Sequence, residues 1–172
     1  YNSMTSRLLV DKIEGKSSSS AIQMPAGHII QTLSSTKLAA QGINSSSFVD
    51  VTDLSVGITP KFSTSKILIT SHVYVSWTDA AVLRLLRDST RIPNNTEGNS
   101  DNRRGFAMAR HEQSNEGNTY SITHLDAPST TSATTYKIQA RRDGSATCEI
   151  NRRYSDNTYS LISSITVQEI AQ

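Results

Sequence analysis

Cysteine occurs once, at Cys148. One thiol cannot build an internal disulfide framework or a cysteine-rich zinc centre. Apolar residues are scarce too, at 35% of 172 residues, a low share for a globular chain. No apolar run approaches the roughly 18 residues of a membrane-spanning helix, and the N-terminal stretch has no apolar core of signal-peptide length. Neither sign of charge dominates: 17 Lys and Arg stand against 15 Asp and Glu, a net +2. That balance points neither to nucleic acid nor to membrane insertion as a partner.

Signatures of chemistry are missing as well. There is no G-x-S-x-G elbow to anchor a hydrolase triad and no phosphate-cradling G-x-x-x-x-G-K-[ST] loop. His28, His72, His111 and His124 are scattered, without the i, i+4 spacing of a helical zinc site. Cys148 alternates with Ala146 and Ile150, which reads as a small buried hydrophobe rather than a nucleophile. Glycoside cleavage needs two carboxylates facing one groove. Glu97, Asp101, Glu112 and Glu116 fall in polar stretches, but no spacing requires them to meet. The run 94–101 is rich in oxygen ligands yet lacks the D-x-D-x-D-G spacing of a calcium loop. The expectation is therefore no catalytic residue, no metal and no cofactor.

What is present is serine and threonine, roughly a quarter of the chain, and these suit turns and strands respectively. Residues 63–77, STSKILITSHVYVSW, form the strongest element. Ile67, Ile69, Val73, Val75 and Trp77 share one parity; Leu68, Thr70, His72, Tyr74 and Ser76 share the other. A period of two, rich in β-branched residues, predicts a long central strand with one face in a core. Shorter strands are predicted at 28–33, 48–58 (ended by Pro60), 80–87, 106–110, 120–124, 135–142, 146–150 and 161–170. The segment 80–87, AAVLRLLR, would also suit two helical turns, but its strand neighbours favour a strand. Asp143-Gly144 predicts a two-residue hairpin joining the strands on either side. Residues 34–47 are a polar stretch, and residues 94–105, 112–118 and 151–158 are polar loops.

Residues 1–26 differ: Leu8, Leu9, Val10 and Ile13 make one short apolar patch before a run of four serines. So thin a segment cannot bury a core of its own and reads as an extended N-terminal arm, tied down by a partner or left as a tail. The expected organisation is an arm over 1–26 and an all-β, jelly-roll-like antiparallel β-sandwich over 27–172.

Several pieces carry a resemblance. They are GHIIQ (27–31), SSFVDVTDLSVGITPKFSTSKILI (46–69), LRLLRDSTRI (83–92), HLDAPSTTSATTYKIQARRDG (124–144) and SSITVQEI (163–170), after an upstream LLVDKIEG and IQMPAG. In this order they resemble a domain of structural proteins of tailed phages, particularly phages of aquatic and cyanobacterial hosts, of the tail-fibre or virion-structural kind. The resemblance implies a jelly-roll-like head on the virion exterior, assembled as a homotrimer alongside other virion proteins.

On that basis, recognition is expected at the polar loops, with three copies acting together on a host cell-surface glycan. Rings stack on sugar faces and amides bond sugar hydroxyls. The candidates are Tyr154, Asp156, Asn157 and Tyr159 in one loop and Asn94, Asn95, Asn99 and Arg103 in another. Leu68, Tyr74 and Tyr136 are the candidate subunit-interface residues, and Leu8, Leu9, Val10 and Ile13 the virion anchor. The competing reading is a capsid decoration or cement protein, or a head fibre, held by its arm; a glycan depolymerase is the distant third.

Overall fold

A computed structural model of the 172-residue chain describes residues 24–76, 79–97, 103–111, 116–153 and 158–172. The arm residues Leu8, Leu9, Val10 and Ile13 lie outside them, as does Trp77. Eleven strands run through the described residues: β1 (Ile29–Lys37), β2 (Gln41–Ile43), β3 (Val49–Ile58), β4 (Lys66–Ser76), β5 (Ala80–Arg87), β6 (Thr90–Ile92), β7 (Ala107–Arg110), β8 (Gly117–Asp126), β9 (Thr134–Asp143), β10 (Cys148–Ile150) and β11 (Ser163–Ile170). They form two antiparallel sheets packed face to face, a β-sandwich.

In the first sheet β4 is central. It pairs with β8 along one edge and with β11 and then β10 along the other; β1 continues beyond β11, and β2 beyond β10. The second sheet runs β3–β9–β5, with β6 and β7 sharing the outer edge of β5. Most connections cross from one sheet to the other, as in a jelly roll.

The core follows from the period of two. Ile67, Ile69, Val73 and Val75 of β4 are fully buried against Leu83 and Leu85 of β5 and Ile138 and Ala140 of β9. Each Val, Leu or Ile side chain among these contributes about 1.5–3 kcal/mol by leaving water. Ser71 interrupts the apolar series of β4, and its hydroxyl donates to the Ser164 carbonyl at 2.9 Å, so the buried oxygen is satisfied.

In β3 the buried parity changes. Val51 is buried at an odd position, Leu54, Val56 and Ile58 at even ones. The cause is a bulge: the register with β9 shifts between Asp50 and Ser55, and Asp53 takes a left-handed φ of 65°.

Three expectations need correction. Asp143-Gly144 does not close a hairpin: β9 lies in the second sheet and β10 in the first, so this turn is a crossover. The Asp79 carboxylate holds it, accepting from the backbone amides of Ser145 (3.2 Å) and Ala146 (3.3 Å). Residues 41–43, read as part of a polar stretch, form a strand because β10 offers them a paired edge. In β7 Ala109 faces the core, while Met108 is 63% exposed. Tyr136, a candidate interface residue, is fully buried on the inward parity of β9 with Ile138 and Ala140. It has no surface to offer a partner.

Candidate functional site

The outward face of the second sheet carries most of the charge that the sandwich organises. Along β5, Ala81, Leu83 and Leu85 point inward, and Val82, Arg84 and Leu86 take the other parity. Val82 and Leu86 are nonetheless nearly buried. Met108 and Arg141 flank Val82 in the ladders, while Arg91 and Lys137 flank Leu86. Long cationic side chains lay their stems over apolar neighbours and keep their heads in water.

Arg84 is held from two sides. Its Nε and Nη2 donate to Gln139 Oε1 at 2.8 and 2.6 Å, and its guanidinium carbon lies 3.9 Å above the centre of the Phe48 ring. Gln139 passes the connection on, donating from Nε2 to Asp50 Oδ1 at 2.6 Å. Asp50 also accepts from Lys137 Nζ at 2.9 Å. Burial would raise the Asp50 carboxyl, but the bonds from Lys137 and Gln139 and the charges of Lys137 and Arg84 outweigh it and hold the group below the usual carboxylate range.

Beyond β5 the two-residue turn Asp88-Ser89 leads into β6. Asp88 has a left-handed φ of 52°, and its carboxylate accepts from the Thr135 amide at 2.8 Å, docking the turn on β9. Arg91 then fixes the start of the following loop: its Nη2 donates to Asn94 Oδ1 at 2.7 Å and to the Asn95 carbonyl at 3.0 Å. Arg84, Ser89, Thr90, Arg91 and Asn94 together line an open hollow of about 220 Å³. Two guanidinium groups, two hydroxyls and one amide face it, with no carboxylate among the five.

A second hollow, about 340 Å³, lies at the other end of β5, lined by Asp79, Ala80, Met108, Arg110 and Asp143. Arg103 belongs there, pairing with Asp143 at 3.0 Å. Asn94 and Asn95 on one side and Arg103 on the other, expected to share a loop surface, therefore serve opposite ends of β5. Tyr159 is on the β10–β11 connection of the first sheet, 54% exposed, with Arg153 stacked 4.5 Å from its ring centre. Tyr154, Asp156, Asn157 and Asn99 lie outside the described residues.

The outward face of the first sheet is different in kind. Across four of its six strands, β1, β11, β4 and β8, run Ser34–Thr166–Thr70–Thr123 and, beside it, Thr36–Ser164–His72–Ser121. Leu68 pairs with Leu125 at one end, and Tyr74 with Thr119 at the other. His72 Nδ1 and Ser121 Oγ are 2.7 Å apart. Leu68 and Tyr74 are half-buried on this face, and neither row contains a charged side chain.

Among the described residues no three His, Cys, Asp or Glu side chains converge as a metal site. Cys148 is fully buried, and that burial pushes its thiol far up, away from a nucleophilic thiolate. His111 is buried beside Tyr120, ring centres 6.3 Å apart, and burial lowers its pKa against the raising influence of Glu116 and the Val75 backbone. Sequence reasoning missed Arg84, Arg91 and Phe48. The one available signal was Arg84 itself, the charged residue that marks the outward parity in a run apolar on both parities. No protein-family model matches this chain, and no curated protein matches it either.

Proposed function

We propose that this protein is a non-enzymatic structural component of a tailed-phage virion, a homotrimeric tail-fibre or surface-appendage head that contacts the host cell. The sequence pieces between 27 and 170 support the phage reading by their resemblance, and a β-sandwich is the fold that resemblance implies. The observation that carries the assembly is the outward face of the first sheet. Depletion of charge is the compositional mark of a protein interface core, and the two hydroxyl rows between Leu68–Leu125 and Tyr74 hold no charged side chain. Three copies around an axis would each bury such a face against a neighbour. The charged outward face of the second sheet would remain open to the host.

Two measurements test this. Light scattering on the purified chain should give three times 18.8 kDa; a mass of one subunit would refute the trimer. Gold-labelled antibody on intact virions should decorate the tail or its fibres. Label spread over the head shell would replace the reading with a capsid decoration or cement protein, and no label on virions would reject both.

A further inference from the structure

We propose that the outer edge of β8 takes an added strand, and that the strand is residues 7–13, RLLVDKI, of a neighbouring copy of this chain. This rests on the homotrimer reading and adds the contact that interlocks its subunits.

The edge itself is the first observation. Tyr74 of β4 turns its backbone toward β10 and β11: its N–H donates to Ser163 Oγ at 3.0 Å, and its carbonyl accepts from the Asn151 amide at 3.3 Å. Residues directly opposite in an antiparallel ladder either face each other or both face away. Thr119, opposite Tyr74, therefore points its N–H and C=O to the outer side of β8, and so do Ser121, Thr123 and Leu125. Among the described residues no backbone or side-chain group bonds to that side.

Proteins blunt such edges with short strands, Lys, Pro or bulges, or by covering them. The other edges of this sandwich follow that rule. The edge of β3 is covered: Gln31 donates to the Thr59 carbonyl at 2.9 Å, Ser35 donates to the Asp53 carbonyl, and Gln41 accepts from the Thr52 amide at 2.9 Å. The outer strands β6 and β7 have only three and four residues. β8 does none of this. It pairs with β4 over ten successive residues without a register shift, and it contains no Lys, Arg or Pro. Its inward residues Tyr120 and Ile122 pack against the core yet stay half-buried, which leaves an apolar margin for one more strand.

The sequence before Met24 holds one match. Residues 7–13 are the stretch of 1–23 where apolar residues gather, and Leu8 and Val10 share the parity that would lie beside Tyr120 and Ile122. Seven extended residues span about 23 Å, and residues 14–23 add a tether of up to about 33 Å. The chain enters the sandwich where the Gly27 amide bonds the Ala171 carbonyl at 2.9 Å, at the Asp126 end of the first sheet. From that end its own residues 7–13 would meet β8 in parallel. Every ladder here is antiparallel, the stronger pairing per residue, and a neighbour's segment can enter from the other end to satisfy it. Each copy gives one strand and receives one, a head-to-tail contact that closes after three. It also continues the uncharged outward face, to which Thr119, Ser121, Thr123 and Leu125 contribute their side chains.

The test is residue-resolved amide exchange on the full chain. Adjacent N–H groups of a strand point to opposite sides, so the double variant Leu9→Pro, Val10→Pro removes a ladder donor in any register, and its changes lie outside the sandwich. The amides of Thr119, Ser121, Thr123 and Leu125 should exchange about a hundredfold more slowly in the parent than in this variant. Those of Tyr120 and Ile122, which face β4, should exchange alike in both. Equal exchange of the four outer amides overturns the proposal. A second measurement identifies the donor. Chains carrying Leu9→Cys are assembled with chains carrying Thr123→Cys and treated with a bis-maleimide; Cys148 is buried and stays unlabelled. Linked pairs of unlike chains are expected. Linkage found only within a single chain carrying both substitutions would assign the edge to the chain's own segment and overturn the exchange between neighbours. A three-subunit mass with fast outer amides removes the added strand and leaves the trimer standing.

Discussion

The Tyr136 hydroxyl donates to Asp126 Oδ2 at 2.7 Å, and this bond joins the two sheets, since Tyr136 belongs to β9 and Asp126 ends β8. Arg87 of β5 completes the group with two contacts to the same carboxylate, at 3.0 and 2.9 Å. Burial first, and then Asp126, push the Tyr136 phenol far above its ordinary pKa, so it stays a donor throughout the physiological range. Tyr136→Phe should keep the ring in the core and remove one partner of a mostly buried carboxylate. The expected loss is about 1–3 kcal/mol, read as a lower urea midpoint at unchanged m-value. An unchanged midpoint would show that Arg87 alone satisfies Asp126.

Asn151 makes a second buried junction. It is fully buried with a left-handed φ of 62°. Its Nδ2 donates to the Lys37 carbonyl at 2.8 Å, and its Oδ1 accepts from the Ser163 hydroxyl at 2.5 Å. Its own carbonyl accepts from Leu161 at 2.9 Å, closing the β10–β11 connection. Asn151→Ala should lose the side-chain bonds and add left-handed strain of about 1–2 kcal/mol. Asn151→Gly should lose the same bonds without that strain. Glycine should therefore be the milder replacement by thermal unfolding; equal losses would mean that the bonds alone account for the residue.

Asp50 gives a pH-dependent prediction. Its carboxyl is held below the ordinary value of 3.8. A lowered folded-state pKa means that the unfolded chain takes up the proton first as pH falls. The stabilisation is thus fully present above about 3.8 and disappears as pH drops through the lower folded value. Carbon-13 NMR of the carboxyl should place the Asp50 midpoint under 3.8, and Gln139→Leu should move it upward. No upward movement in Gln139→Leu would mean that the Arg84–Gln139–Asp50 chain does not hold the carboxylate.

These three groups also show what could be read along the chain and what could not. The inward parity of β4 was legible because a period of two is a local property, and only Ser71 broke it. The strand at 80–87 was ambiguous because Val82 and Leu86 look inward by composition, whereas Met108, Arg141, Arg91 and Lys137 cover them from strands elsewhere in the chain. Asp143-Gly144 misled for a related reason: turn chemistry states where the chain reverses, not which sheet receives it. Asp50, Gln139 and Arg84 sit 34 to 89 residues from one another in sequence terms and meet only through the β3–β9–β5 register. No local pattern announces such a chain. The arginine hollow is of this kind, assembled from β5, the turn after it, β6 and the start of the next loop, with Gln139 and Phe48 supplied from outside.

The hydroxyl rows of the first sheet lead to the last prediction. Thr70 stands in the middle of Ser34–Thr166–Thr70–Thr123, next to His72 along β4, half-buried on the outward face. In a lone subunit Thr70→Arg places a long cation on a water-facing surface, and such a change is worth within about 0.5 kcal/mol. If copies of the chain pack on this face, the same arginine is trapped at the centre of an uncharged interface with no partner, at a penalty of about 3–5 kcal/mol. The two situations separate cleanly. Light scattering should show Thr70→Arg falling from three times 18.8 kDa to one subunit, while thermal unfolding of the dilute monomer stays within a degree or two of the parent. Lys137→Ala, on the other sheet, should leave the mass unchanged. A Thr70→Arg protein that keeps the parent's mass would move the interface off this face. The hydroxyl rows would then be a water-facing surface, and the contact between copies would have to be sought at the sheet edges.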